Sequence, residues 1–167
     1  AWVTGDSDLD VLKRAHAAMQ TALDEAWASR AEGLPLKNPN EAWALASIVE
    51  KETGIAEERP AIAGVFVRRL KIGMRLQTDP TVIYGLGDAF DGNLRKRDLQ
   101  ADTPYNPYTR RGLPPTPISM PGAPSIRAAI SPDPSKALYF VARSDGGGGS
   151  VFSETLDAHN RAVNQYQ

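Results

Sequence analysis

Leu45-Ala46-Ser47-Ile48-Val49-Glu50-Lys51-Glu52-Thr53 is the stretch whose reading decides the fold. Its apolar positions, with Ala42 before them, cover most of a helical circumference, so it reads as a core helix rather than a surface one. The helix runs from Glu41 to about Thr53, with Asn40 as a cap at its start and Gly54 ending it. Glu50 closes a nearly continuous apolar run. A carboxyl pressed against apolar neighbours loses hydration, which raises its pKa and suits it to act as a general acid near neutral pH. A helix-end cap or an ion pair to an arginine would account for Glu50 equally well. Glu52, two residues on, cannot share its helix face.

Working outward, a long amphipathic helix precedes this one, from Ser7 to about Ala31. Leu9, Leu12, Met19, Leu23 and Trp27 recur every three or four positions, with Asp6 or Ser7 as cap. Gly33-Leu34-Pro35 ends it, so residues 1–36 form a leading helix and connector. A third helix spans about Glu57 to Ile72, with Pro60 in its first turn, Gly73 at its end and Ile62, Val65, Phe66 and Leu70 as its buried stripe. Nine of the 13 prolines then lie between Thr103 and Ser135, which predicts a long loop region with short helical turns. Ala137 to Arg143 reads as a strand, Ser144 to Gly149 as a turn and Val151 to Ser153 as its hairpin partner. The chain closes on a helix from Glu154 to Gln165, with Leu156, Val163 and His159 turned inward.

Composition narrows the chemistry. The 167 residues suit one domain, and 19 Lys and Arg against 20 Asp and Glu leave no cationic surplus for nucleic acid. Cysteine is absent, which excludes thiol nucleophiles and cysteine-bound metals. The two histidines, His16 and His159, stand far apart with no metal-ligand spacing, and no nucleotide-binding glycine pattern occurs. No metal or other cofactor is expected. Acid–base work by carboxylates remains.

Two polar clusters accompany Glu50. In Arg75-Leu76-Gln77-Thr78-Asp79-Pro80, Gln77 offers a donor and an acceptor, Thr78 a hydroxyl and Asp79 an acceptor, a set suited to hydroxyl-rich or amide-bearing ligands. In Tyr105-Asn106-Pro107-Tyr108, two ring faces flank an amide, as sugar recognition requires. Each cluster also reads as a self-contained turn or packed loop. His159 beside Asn160 reads most simply as a helix residue satisfied in or near the core.

Taken together, Leu45–Thr53, Arg69–Gly85, Tyr105–Tyr108, Gly112–Pro115 and Leu156–Asn160 resemble the endolytic murein transglycosylase (YceG-like) family, over about residues 40 to 167. The resemblance implies a single catalytic domain across residues 1–167, an α+β fold that is helix-rich, with a lysozyme-like core around Glu50 and a small C-terminal β-hairpin. It implies non-hydrolytic cleavage of the bond between N-acetylmuramic acid and N-acetylglucosamine in peptidoglycan, leaving 1,6-anhydro ends. Glu50 falls on the family's catalytic glutamate, as acid and then base. Leu76-Gln77 and Tyr105-Asn106 would orient the acetamido group and line the cleft. Arg75 would meet muramyl carboxylates, Asp79 would stabilise charge, and Thr78 and Tyr108 would complete the binding set. The family places such a domain on the periplasmic side of a bacterial inner membrane, beside penicillin-binding peptidoglycan synthases. Its membrane helix and LysM-like domain find no match here. The rival readings are a muramidase acting on the same bond and a non-catalytic glycan-binding module.

Overall fold

The computed structural model describes residues 4–144 and 148–167. Seven α-helices and one two-stranded hairpin are found among them. The helix-rich α+β class expected from the sequence holds. Helix α1 (Asp8–Ala28) starts at Ser7, whose hydroxyl accepts from the Asp10 amide while Asp10 accepts in return from the Ser7 backbone, a closed capping box. Met19 and Leu23 reach the core, but Leu9 and Leu12 on the same apolar stripe stay exposed. The pattern of α1 is therefore amphipathic over its full length, while the packing covers its C-terminal half.

Helix α2 (Pro39–Glu52) begins two residues earlier than the sequence suggests, because Asn38 rather than Asn40 accepts from the Glu41 amide and Pro39 takes the first turn. Its residues Ala44 to Val49 are all buried. The predicted third helix divides into a 3-10 turn (Ala56–Glu58) and α3 (Arg59–Lys71), which ends at Gly73 with φ +66°. Gly64 in α3 permits a close approach, since a Cβ there would stand 2.7 Å from the Asp133 carbonyl oxygen.

The region after Gly73 is more ordered than its prolines suggest. Asp79-Pro80 opens a helix, α4 (Asp79–Leu86), instead of forming a free turn. Short α5 (Lys96–Gln100) and α6 (Ala123–Ile130) follow, each proline of a helical segment sitting in a first turn where its missing N–H costs nothing. Buried α6 packs across α1, α2 and α3, joining Leu45, Ile48, Val49, Ile62 and Phe66 to Ile126 and Ala129 in one core. Burying each large aliphatic side chain contributes about 1.5–3 kcal/mol.

Strand β1 (Tyr139–Ala142) pairs antiparallel with β2 (Ser150–Ser153) in the register Phe140 to Phe152. Of the Ser144–Gly149 turn, residues 145–147 lie outside the described residues. Helix α7 (Leu156–Tyr166) starts at Thr155, whose hydroxyl accepts from the Ala158 amide. It lies against both strands with Ala162 buried, but Leu156 is exposed rather than inward. The hairpin and α7 reach the helical body through two neighbouring arginines of α3. Arg68 donates to the carbonyls of Ala137 and Asp133, and Arg69 donates to those of Leu138 and Leu76.

Candidate active site

A cleft of about 710 Å³ opens between the C-terminal end of α2, the start of α4, and the hairpin with α7. Glu52, Gln77, Asp79, Tyr108, Tyr139 and His159 are on its wall, with Arg69 behind them. The two glutamates of α2 part company here. Two residues on a helix are about 200° apart, so Glu50 turns to α6 and Glu52 to the cleft.

The Glu50 carboxylate accepts from the Ser125 hydroxyl at 2.6 Å and the Gly122 amide at 3.2 Å, capping α6 from outside its own chain segment. The Ser125 bond above all, with help from Gly122 and from Arg59 and Lys51, holds its pKa below the ordinary 4.5. The raised pKa expected for Glu50 is therefore not what the fold provides. The apolar run before it faces the core, while its own head group meets donors at a helix N-terminus. Glu50 does not line the cleft.

Glu52 carries the shift expected of its neighbour. Enclosure by the Arg75–Asp79 loop and by α3 pushes its pKa up to about 7, with the Asp79 charge adding to the rise. The Thr78 hydroxyl at 3.2 Å and the more distant Arg69 work against that shift without overcoming it. The loop is held in place by the Gln77 backbone N–H, which donates to the Pro107 carbonyl at 3.3 Å, and by fully buried Leu76. Gln77 has φ +52° and is the one non-glycine residue with positive φ among the described residues. Backbone of that kind persists where the surroundings over-determine it, and Gln77 lines the cleft.

Asp79 accepts from the Tyr108 hydroxyl at 2.5 Å across the cleft floor. Burial, then this bond, raises the Tyr108 pKa and keeps the phenol protonated as the donor. Of the residues singled out from sequence, Gln77, Thr78, Asp79 and Tyr108 thus gather around the cleft or its carboxyl group. Three do not. Arg75 is exposed and outside the cleft lining. Tyr105 turns to the opposite side of its loop, with its hydroxyl 2.8 Å from that of Thr116 and its ring against Tyr84. Asn106 is buried, and its amide nitrogen donates to the carbonyls of Asp98, Leu99 and Ala101 while its oxygen accepts from the Tyr108 amide. An amide used so completely has nothing left for an acetamido group. It places Tyr108 instead.

Sequence reasoning missed Glu52, Arg69 and Tyr139, and it set His159 aside as a satisfied core residue. Glu52 and Arg69 carried no separate signal, since each stands on a helix whose enclosing partner is distant in sequence. His159 lines the cleft with its Nδ1 buried and without a hydrogen-bond partner. Among the described residues no group of three or more His, Asp or Glu side chains is arranged to hold a metal ion.

Known proteins resemble this chain closely enough to place it. The chain is 47% identical over 122 residues to an endolytic murein transglycosylase of Bacillus subtilis, a match covering 73% of this chain and 33% of that protein. It is 36% identical over 132 residues to an endolytic murein transglycosylase of Streptococcus pneumoniae serotype 2, covering 76% and 24% respectively. The chain therefore spans about a quarter to a third of the length of these curated relatives. The crystal structure of a putative yceG-like protein from Listeria monocytogenes aligns with a TM-score of 0.63 at 46% identity, over 71% of this chain and 37% of that one. The YceG-like family model matches residues 2–165. On that match and these identities, the chain belongs to the YceG-like family.

Proposed function

We propose that this chain is the catalytic part of a peptidoglycan lytic endotransglycosylase, with Glu52 as its acid and base. The observation that carries the reading is a carboxyl group with a pKa pushed up to about 7 on the wall of a polar, ring-lined cleft. A pKa near the working pH lets one group give a proton and take it back. The names of the relatives supply the substrate class.

In this mechanism protonated Glu52 gives its proton to the glycosidic oxygen as the bond from C1 of N-acetylmuramic acid breaks. The acetamido oxygen of the same sugar meets the positive charge growing at C1, as in substrate-assisted glycosidases, so no carboxylate nucleophile is needed. The muramyl 6-hydroxyl then closes onto C1, and its proton returns to Glu52. No water enters the product, and the enzyme ends in its starting protonation state. Gln77 has the donor and acceptor to hold the acetamido group, and Asp79, fixed by Tyr108, puts a negative charge on the same wall. Peptidoglycan lies outside the cytoplasmic membrane, so this reading places the domain on that side, in the company of peptidoglycan synthases. None of the described helices is long and apolar enough to cross a membrane.

Digestion of purified peptidoglycan by the parent chain, Glu52→Gln and Glu50→Gln, followed by mass spectrometry, tests the proposal. Anhydromuramyl ends from the parent and from Glu50→Gln, with a loss of at least about a hundredfold in Glu52→Gln, are expected. Ends heavier by one water would identify a muramidase instead. Undiminished anhydro product from folded Glu52→Gln would remove Glu52 from the mechanism.

A further inference from the structure

The far wall of the cleft holds a histidine that the chemistry above does not use. His159 stands one turn into α7 with its ring stacked on Tyr139, centroids 5.2 Å apart and planes 21° apart. The Arg69 guanidinium lies 5.5 Å from the same Tyr139 ring. The result is a layered wall of cation, phenol and imidazole, built from α3, β1 and α7.

The two ring nitrogens of His159 have different surroundings. Nδ1 is buried and has no hydrogen-bond partner. Nε2 likewise has no hydrogen-bond partner among the described residues, but it is less enclosed than Nδ1, in a residue that lines the cleft. An unpaired buried N–H is rarer and costlier than an under-used lone pair, so the proton of the neutral ring belongs on Nε2. A second proton would strand a charged N–H at Nδ1 near Arg69. Burial first, and Arg69 second, accordingly hold the His159 pKa below its ordinary 6.5. The other titratable groups on this cleft are Lys51, Glu52, Asp79, Tyr108 and Tyr139, and none of them makes a hydrogen bond to the ring.

We propose that His159 is a substrate-binding residue whose Nε2–H donates a hydrogen bond to an oxygen of a glycan sugar seated against the Tyr139–His159 pair. Flat ring faces beside a fixed donor are what an N-acetylated sugar requires, with its apolar C–H face and oxygen-rich edge. The fold supports the donor at three points, through the Thr155 cap of α7, the Tyr139 stack and the Arg69 tether to Leu138, just before β1. Only the ligand class rests on the transglycosylase reading.

The test measures binding and is independent of turnover. The Glu52→Gln chain, labelled with 15N-histidine, is titrated with chitotetraose and with a tetrasaccharide that alternates N-acetylglucosamine and N-acetylmuramic acid. The expected spectrum shows His159 as the Nε2–H tautomer from pH 6 to 8, and either glycan moves its Nε2 resonance while His16 stays still. His159→Phe keeps the stacked ring without the donor and should weaken tetrasaccharide binding about tenfold. His159→Gln, which carries an amide donor near the position of Nε2, should bind within about threefold of its parent. Unchanged affinity in folded His159→Phe would overturn the proposal, as would an Nε2 resonance that ignores saturating glycan. If the parent chain makes no anhydro ends while His159 responds to glycan, the reaction fails and this site stands. A silent His159 in a chain that cleaves peptidoglycan gives the converse.

Discussion

Glu52 accepts a hydrogen bond from the Thr78 hydroxyl at 3.2 Å across 26 residues of sequence, and the loop that brings Thr78 there also shuts water away from the carboxyl group. Glu50, two residues earlier, is met by the Ser125 hydroxyl at 2.6 Å from the other side of α2. One helix thus presents two carboxyl groups whose proton affinities are pushed apart by what faces them. In the proposed mechanism the group with the raised proton affinity is the acid–base member, and the other holds the start of α6.

Stability should fall with rising pH through the window that Glu52 governs. Its folded pKa of about 7 lies above the ordinary 4.5, so between these values the folded chain binds more protons than the unfolded one. The stabilisation is complete below the lower value and is lost as pH rises through the higher, up to about 3 kcal/mol for this group. Glu52→Gln removes that dependence. Thermal unfolding should show the variant with the higher Tm at pH 8 and with little advantage at pH 5.

Glu50→Gln should behave in the opposite sense. A carboxylate whose folded pKa is depressed stabilises above its ordinary pKa, and that contribution disappears as pH falls through the lowered value. The variant keeps an acceptor for Ser125 and Gly122 but loses the charge at the N-terminus of α6, which costs about 1 kcal/mol. Urea unfolding at pH 7 and at pH 3.5 measures this, the gap between parent and variant narrowing at the acidic end. Since Glu50 faces α6, anhydro product should stay within a few-fold of the parent.

Asn106 should prove a fold residue. Its amide satisfies three carbonyls and one backbone N–H, so Asn106→Ala leaves several buried polar groups unmet and should cost about 3 kcal/mol or more. Asn106→Asp keeps the shape but sets a carboxylate oxygen against three carbonyl oxygens, and should cost at least as much. Denaturant unfolding decides the matter. A stable Asn106→Ala chain with a selective loss of glycan binding would return Asn106 to the binding surface.

Gln77 separates backbone from side chain. At φ +52° a glycine is unstrained, so Gln77→Gly should leave Tm nearly unchanged while removing the amide from the cleft. Gln77→Val, β-branched in left-handed backbone, should destabilise by about 1–2 kcal/mol. Product formation measured on Gln77→Gly then reports the amide alone, and a rate equal to the parent's would show that the amide takes no part.

Much of this was legible in the chain of residues alone. Helix periodicity, the cap at Asp6 or Ser7 and the stop at Gly73 are interactions over three or four residues, and they placed α1, α2, α3 and α7 to within a few positions. The same local signals misled where tertiary packing outweighs them. The prolines at 80 and 124 read as loop, yet each opens a helix, because a first-turn proline and a turn proline look alike until the following residues find a core to pack on.

The sequence by itself determined the helix-rich class, the carboxylate-bearing core helix and the polar residues at 77, 78, 79 and 108 that the cleft gathers. Tertiary structure decided which glutamate could hold a proton at neutral pH, which tyrosine faces the cleft, and that His159 belongs to its wall. The physical reason is that periodicity records which residues face away from water along one element, whereas desolvation depends on what other elements bring against them. Ser125 reaches Glu50 from 75 residues away and Thr78 reaches Glu52 from 26, and no pattern within α2 contains either contact.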